Sequence, residues 1–142
     1  MIRGSCLCGA VRFEVASVAG PFELCHCSRC RIVTGSAFSS VIYVNRDDLR
    51  FTEGLKSIKT YEAPILRAPP PYRYSFCVQC GSSLPDPTAK SPQVEIPAGA
   101  LDDDPQLRPD KHIYVDVKSP WFEIADHLPQ FDQVEIRRHR TR

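Results

Sequence analysis

A chain of 142 residues with 42% hydrophobic and 25% charged residues has the make-up of an ordinary globular protein. Its length suits a single domain, 1–142, that buries roughly 68% of the surface its unfolded form exposes. The net charge of +1 provides no global field to attract nucleic acid or an anionic membrane, and no apolar run approaches the ~18 residues of a spanning helix. Met1-Ile2-Arg3-Gly4-Ser5 lacks the apolar stretch of a signal peptide, so a reducing, cytoplasmic location is expected.

Along the chain, strand patterns dominate. Gly9 to Val15 alternates apolar with small or charged residues, which predicts a half-buried strand with Val11, Phe13 and Val15 facing the core. Cys6 and Cys8, just before it, would leave one face of an extended segment together. After Gly20-Pro21, Phe22 to Cys27 reads as extended, with Cys25 and Cys27 on a common face and His26 on the opposite one. Ser28 has the character of an N-cap for a short helix over Arg29 to Thr34 that stops at Gly35, with Cys30 in its first turn. Ser36 to Val44 reads as a strand, and Leu49–Thr52 with Ser57–Tyr61 as a hairpin. The proline-rich stretch from Ala63 to Pro71 cannot continue a ladder and is expected to be an exposed loop.

Tyr72 to Phe76 is then a strand that delivers Cys77-Val78-Gln79-Cys80-Gly81, a knuckle in which a tight turn brings two sulfurs to one side. Gln93–Pro97 and His112–Val117 are further strands, and Asp102-Asp103-Asp104 between them is a solvated loop without the spaced oxygens of a calcium site. Trp121–Ile124 and the segment ending at Phe131 supply late apolar contacts. The basic tail, 137–142, has no interleaved aromatic residue for base stacking and reads as a frayed end.

All seven cysteines fall in three clusters. An odd number and a reducing location argue against a disulfide framework and for metal. Four thiolates make a closed tetrahedral zinc site, and a Cys-x-Cys joined to a Cys-x-x-Cys is the natural way to build one from Cys6, Cys8, Cys77 and Cys80. Structural zinc brings about 10–16 kcal/mol of apparent binding energy to folding. That pairing leaves Cys25, Cys27 and Cys30, three ligands with an open position, the pattern of a catalytic zinc. Two alternatives stay open on spacing alone. His26, another histidine or an aspartate completes an inert site, or Cys27 and Cys30 pair with Cys77 and Cys80 and leave Cys6, Cys8 and Cys25 for the other ion. A sulfur-rich open site is a weak Lewis acid and suits a thiol substrate, bound as thiolate and presented to a small electrophile.

Gly4-Ser5-Cys6-Leu7-Cys8-Gly9-Ala10-Val11-Arg12-Phe13, Cys25-His26-Cys27-Ser28-Arg29-Cys30-Arg31 with Thr34-Gly35-Ser36-Ala37-Phe38, and Phe76-Cys77-Val78-Gln79-Cys80-Gly81-Ser82 together resemble the glutathione-dependent formaldehyde-activating enzyme family, which includes centromere protein V. The resemblance continues through Ala98–Asp102, His112–Val115, Lys118–Trp121 and Leu128–Phe131. It implies a mainly β fold of coiled antiparallel sheets stapled by zinc, with one short helix after the central Cys-x-Cys. It also implies structural zinc ligands at Cys6, Cys8, Cys77 and Cys80 and a catalytic zinc on Cys25, Cys27 and Cys30. The implied activity is that of a carbon–sulfur lyase that adds glutathione to formaldehyde to give S-hydroxymethylglutathione. The loop Ala68 to Pro71 departs from the shorter polar turn usual there. Arg29 and Arg31 flank the site as candidates for a substrate carboxylate or as solvated surface charges. A non-catalytic zinc-stapled interaction module is the alternative function, with four protein ligands at both sites, and a redox sensor on Cys30 a third.

Overall fold

The computed structural model describes residues 1–66 and 70–140. In order these form β1 (Ile2–Ser5), β2 (Arg12–Val15), β3 (Phe22–Cys25), α1 (Ser28–Thr34), β4 (Ser39–Asn45), β5 (Leu49–Glu53), β6 (Ile58–Glu62), β7 (Arg73–Cys77), β8 (Ser83–Leu84), β9 (Gln93–Pro97), β10 (Lys111–Ile113), β11 (Gln130–Phe131) and α2 (Gln133–Arg140). The mainly β expectation holds. Three sheets run β1-β2-β5, β11-β10-β3-β4-β9 and β6-β7-β8. Pairing is antiparallel except on the β3 side of the central sheet, where β10 pairs parallel with both β3 and β11.

Alternation along the strands builds the core. Val11, Phe13 and Val15 are buried as their period-two pattern predicts, joined by Phe22, Leu24, Ile42, Val44 and Ile96. Cross-strand partners share a face, so Phe22 opposite Ile42, and Ile42 opposite Ile96, place the core on one side of the central sheet. The other side carries Glu23 and Cys25 of β3, Tyr43 of β4, Glu95 of β9, and Lys111 and Ile113 of β10. On that second face lies α2, its Ile136 packed with Cys25, Cys30 and Ile113. The whole of β3 is therefore buried on both faces.

Several local expectations are corrected. Leu49–Thr52 and Ser57–Tyr61 do not form a hairpin, because β5 pairs with β2 and β6 with β7. Val15 opposite Leu49 and Phe13 opposite Phe51 set the apolar side chains of β5 against the core. Gly54, with φ 74°, and a 3-10 turn over Leu55–Ser57 carry the chain from one sheet to the next. The strand expected over His112–Val117 ends at Ile113, since Tyr114 takes a left-handed φ of 58° and a 3-10 turn follows. Cys6 to Cys8 lies in a turn after β1 rather than on a strand. Trp121 is on the surface, while Phe122 does pack against Phe38. The tail is helical through Arg140, whose guanidinium bonds Glu23 at 2.5 Å; residues 141 and 142 of the expected frayed end lie outside the described residues, as do 67–69 of the proline loop. The acidic run is tied down: Asp102 accepts from Ser5, Asp103 from Arg3 and Asp104 from Arg108.

Candidate metal centres

Tertiary structure gathers the cysteines into two separate groups, Cys6 with Cys8, Cys77 and Cys80, and Cys25 with Cys27 and Cys30. Within each group the sulfurs all lie within 4.8 Å of one another. All seven are free thiols. The crossed pairing left open by spacing is excluded, since Cys25 is with Cys27 and Cys30 and not with Cys6 and Cys8.

Two turns build the four-sulfur group. In the first, Gly9 N–H donates to the Cys6 carbonyl at 3.0 Å and Val11 N–H to Cys6 Sγ at 3.3 Å. In the second, the knuckle after β7, Gly81 N–H donates to the Cys77 carbonyl at 2.7 Å with φ 75° at the glycine. Leu7 N–H bonds Ser82 Oγ at 2.9 Å and fastens one turn to the other. The Cys6–Cys8 and Cys8–Cys77 sulfur separations are 3.6 and 3.8 Å. A tetrahedral ion with bonds of ~2.3 Å to sulfur needs neighbours about 3.8 Å apart, so the four fit zinc. Hydrogen bonds from the Ser82 hydroxyl, then from backbone N–H groups of Ser82 and Cys8, bring the Cys80 thiol down to about 5, toward the thiolate a metal requires.

The three-sulfur group sits where β3 gives way to α1. Cys25 is the last residue of β3, Cys27 caps α1, and Cys30 lies in the first turn. The cap is not Ser28 as its type suggested. Cys27 Sγ itself accepts the Cys30 N–H at 3.4 Å. The Cys25 and Cys30 thiols, then the backbone N–H groups of Cys30 and Arg29, hold Cys27 down to about 2, while facing Cys27 and Cys30 pushes Cys25 up. Three mutually facing thiols resist ionising together, and a cation is what would ionise them all. This donor set fits a soft metal ion.

Among the described residues no histidine or acid joins this group to complete an inert site. His26 points away, fully buried, with Nε2 2.8 Å from His112 Nδ1. His112 Nε2 in turn lies 2.9 Å from an Asp126 oxygen, and Phe38 and Phe122 flank the His26 ring. The candidate carboxylate binders are engaged within the chain: Arg29 donates to the Pro64 carbonyl at 2.6 Å, and Arg31 to the carbonyls of His26 and Val117 at 3.3 and 3.4 Å.

Three residues of this surrounding were not singled out in the sequence. Tyr72, just before β7, directs its hydroxyl at Cys30 Sγ, 3.9 Å away, with the Arg29 guanidinium over its ring. Glu23 and Arg140 pin α2 beside the sulfurs. Glu23 did carry a signal, being a charge inside the apolar run Phe22-Glu23-Leu24-Cys25 at strand spacing from a cysteine. Tyr72 and Arg140 carried none, because their approach is made by distant elements.

The family profile described as glutathione-dependent formaldehyde-activating enzyme matches residues 1–117. This chain belongs to that family. A Halomonas elongata protein named "Putative glutathione-dependent formaldehyde-activating enzyme" is 33% identical over 127 residues, 87% of this chain and 81% of that one. A crystal structure of a Rhodobacter sphaeroides protein shares the fold, with a TM-score of 0.54 at 20% identity, covering 90% of this chain and 98% of the other. The family match stops short of α2, so the helix laid over the three sulfurs lies outside it.

Proposed function

We propose that the protein is a zinc-dependent, carbon–sulfur lyase-like enzyme that joins glutathione, or a similar thiol, to formaldehyde or another small electrophile. The observation that carries this reading is the separation of the cysteines into a complete four-sulfur group and a three-sulfur group with no fourth protein ligand among the described residues. Family membership supports the same substrates. Cys6, Cys8, Cys77 and Cys80 would hold a structural zinc, and Cys25, Cys27 and Cys30 a catalytic one. A zinc ion on three sulfurs supplies a seat at which an incoming thiol ionises.

The chain's own residues do the rest. The Cys30 N–H at the start of α1 donates to Cys27 Sγ and favours its thiolate. The His26–His112–Asp126 chain fixes the Cys25-His26-Cys27 backbone from behind, so the three sulfurs keep one geometry. Ile136 and Ile113 cover Cys25 and Cys30 and keep water from their buried sides. Seven free thiols suit a reducing compartment such as the cytoplasm. A purely structural interaction module would need four ligands at both sites, and among the described residues the three-sulfur group has three.

The test is zinc content together with exchange NMR of formaldehyde and glutathione at equilibrium. Expected are two zinc ions per chain and accelerated adduct exchange. Cys27→Ser should lose one zinc and at least 100-fold of the exchange rate. Protein loaded with two zinc ions that neither binds thiols nor accelerates exchange overturns the proposal.

A further inference from the structure

We propose that Tyr72 is a catalytic residue of the three-cysteine site, its hydroxyl donating the hydrogen bond that holds the electrophile's carbonyl oxygen while a substrate thiolate attacks the carbon. The inference rests on the reading above and adds the group that receives the developing negative charge. A sulfur-rich metal site polarises carbonyls weakly, so an addition performed there needs a donor from the protein.

Geometry singles out Tyr72. Its hydroxyl donates toward Cys30 Sγ across 3.9 Å, a long contact that a better acceptor nearby would displace. An aldehyde oxygen under attack is two bonds from the nucleophilic sulfur, and a thiolate seated against the three cysteines brings that oxygen within the span of a phenol touching Cys30. Other donors nearby are engaged or turned away: Arg29 and Arg31 bond backbone carbonyls, Lys118 the Phe122 carbonyl at 2.8 Å, and the His26 ring faces His112 on the far side of the strand.

The ring is also held in place. Ala63 N–H donates to the Tyr72 carbonyl at 2.9 Å, extending the β6–β7 ladder by a rung. Arg29 lies over the ring and bonds Pro64, which clasps α1 to the same end of that ladder. The other end of β7 delivers Cys77. One five-residue strand therefore links the four-sulfur staple to a phenol at the three-sulfur site. A phenol, whose ordinary pKa is about 10, stays a donor at neutral pH.

The step balances without redox chemistry. The thiol gives its proton to solvent as it ionises, a sulfur lone pair forms the C–S bond, the carbonyl π pair moves to oxygen, and solvent returns one proton to that oxygen to complete the hemithioacetal. Tyr72 keeps its proton throughout.

The test compares the full-length zinc protein with Tyr72→Phe. Expected is a fall of about 100-fold in kcat for adduct formation, the usual effect of deleting one such donor, with KM for glutathione within about twofold and two zinc ions retained. A second readout needs no turnover. In cobalt-substituted protein, thiolate charge-transfer titrations compare 2-mercaptoethanol with ethanethiol, and the affinity ratio in favour of 2-mercaptoethanol should fall several-fold in Tyr72→Phe. Unchanged kcat in the variant, or the same preference in both proteins, overturns the inference. Zinc loss from the variant in step with activity overturns it too, marking Tyr72 as structural. A wild-type protein that binds thiols with the hydroxyl preference yet turns nothing over sinks the proposed function and leaves Tyr72 as a hydrogen-bond donor to the ligand.

Discussion

His26 shows how one side chain between two candidate ligands serves the site without joining it. Burial, then the neighbouring His112, lowers its pKa from 6.5 to about 4. The fold therefore favours the neutral ring, and between pH 6.5 and 4 the unfolded chain binds the extra proton. Stability is undiminished above about 6.5 and declines as pH falls from there toward 4. Wild-type protein should thus show a lower urea midpoint at pH 5 than at 7.5, and His26→Gln, which has no proton to gain, should show a smaller difference. An equal pH difference in the two proteins would refute this. Sequence alternation alone indicated that His26 faces away from the cysteines. Its partner could not be foreseen, since His112 lies 86 residues along the chain.

Among the elements, turns placed by glycine decide where cysteines and strands go. At Gly54 a side chain would meet two costs, the φ of 74° and a collision with the Ala10 carbonyl. At Gly35, which ends α1 with φ 63°, nothing lies within 4 Å and only the backbone cost applies. Gly35→Ala should therefore cost about 1 kcal/mol and Gly54→Ala at least about 3 kcal/mol, measured by chemical denaturation. Similar losses at the two positions would show that the Gly54 turn relaxes. Strand composition made β2, β3, β4, β7 and β9 legible. It misplaced the partner of β5, because a strand's periodicity says which face is apolar and nothing about which neighbour buries it.

Across the molecule, the two thiol groups should differ in what their metal does. The four-sulfur group ties the β1–β2 end to the β7 knuckle, with Cys8 and Cys77 lying 69 positions apart, so loss of an ion bound there would remove a long-range closure. The three sulfurs span only Cys25 to Cys30 on elements that already pack against Ile113 and Ile136. On titrating zinc-loaded protein with a chelator, the first equivalent should leave with the far-UV circular dichroism unchanged and the second with loss of the β signal. Concerted loss of both ions with the fold would contradict this assignment. The sequence by itself determined the mainly β class, the three cysteine motifs and their family, because strand alternation and metal-ligand spacing are local, carried by residues a few positions apart. Only the tertiary structure decided which motifs bring their sulfurs together, that α2 covers the second face of the central sheet, and that Tyr72 meets Cys30. Those contacts join residues 42 to 117 positions apart, and their geometry is set by how sheets pack and not by any stretch of chain.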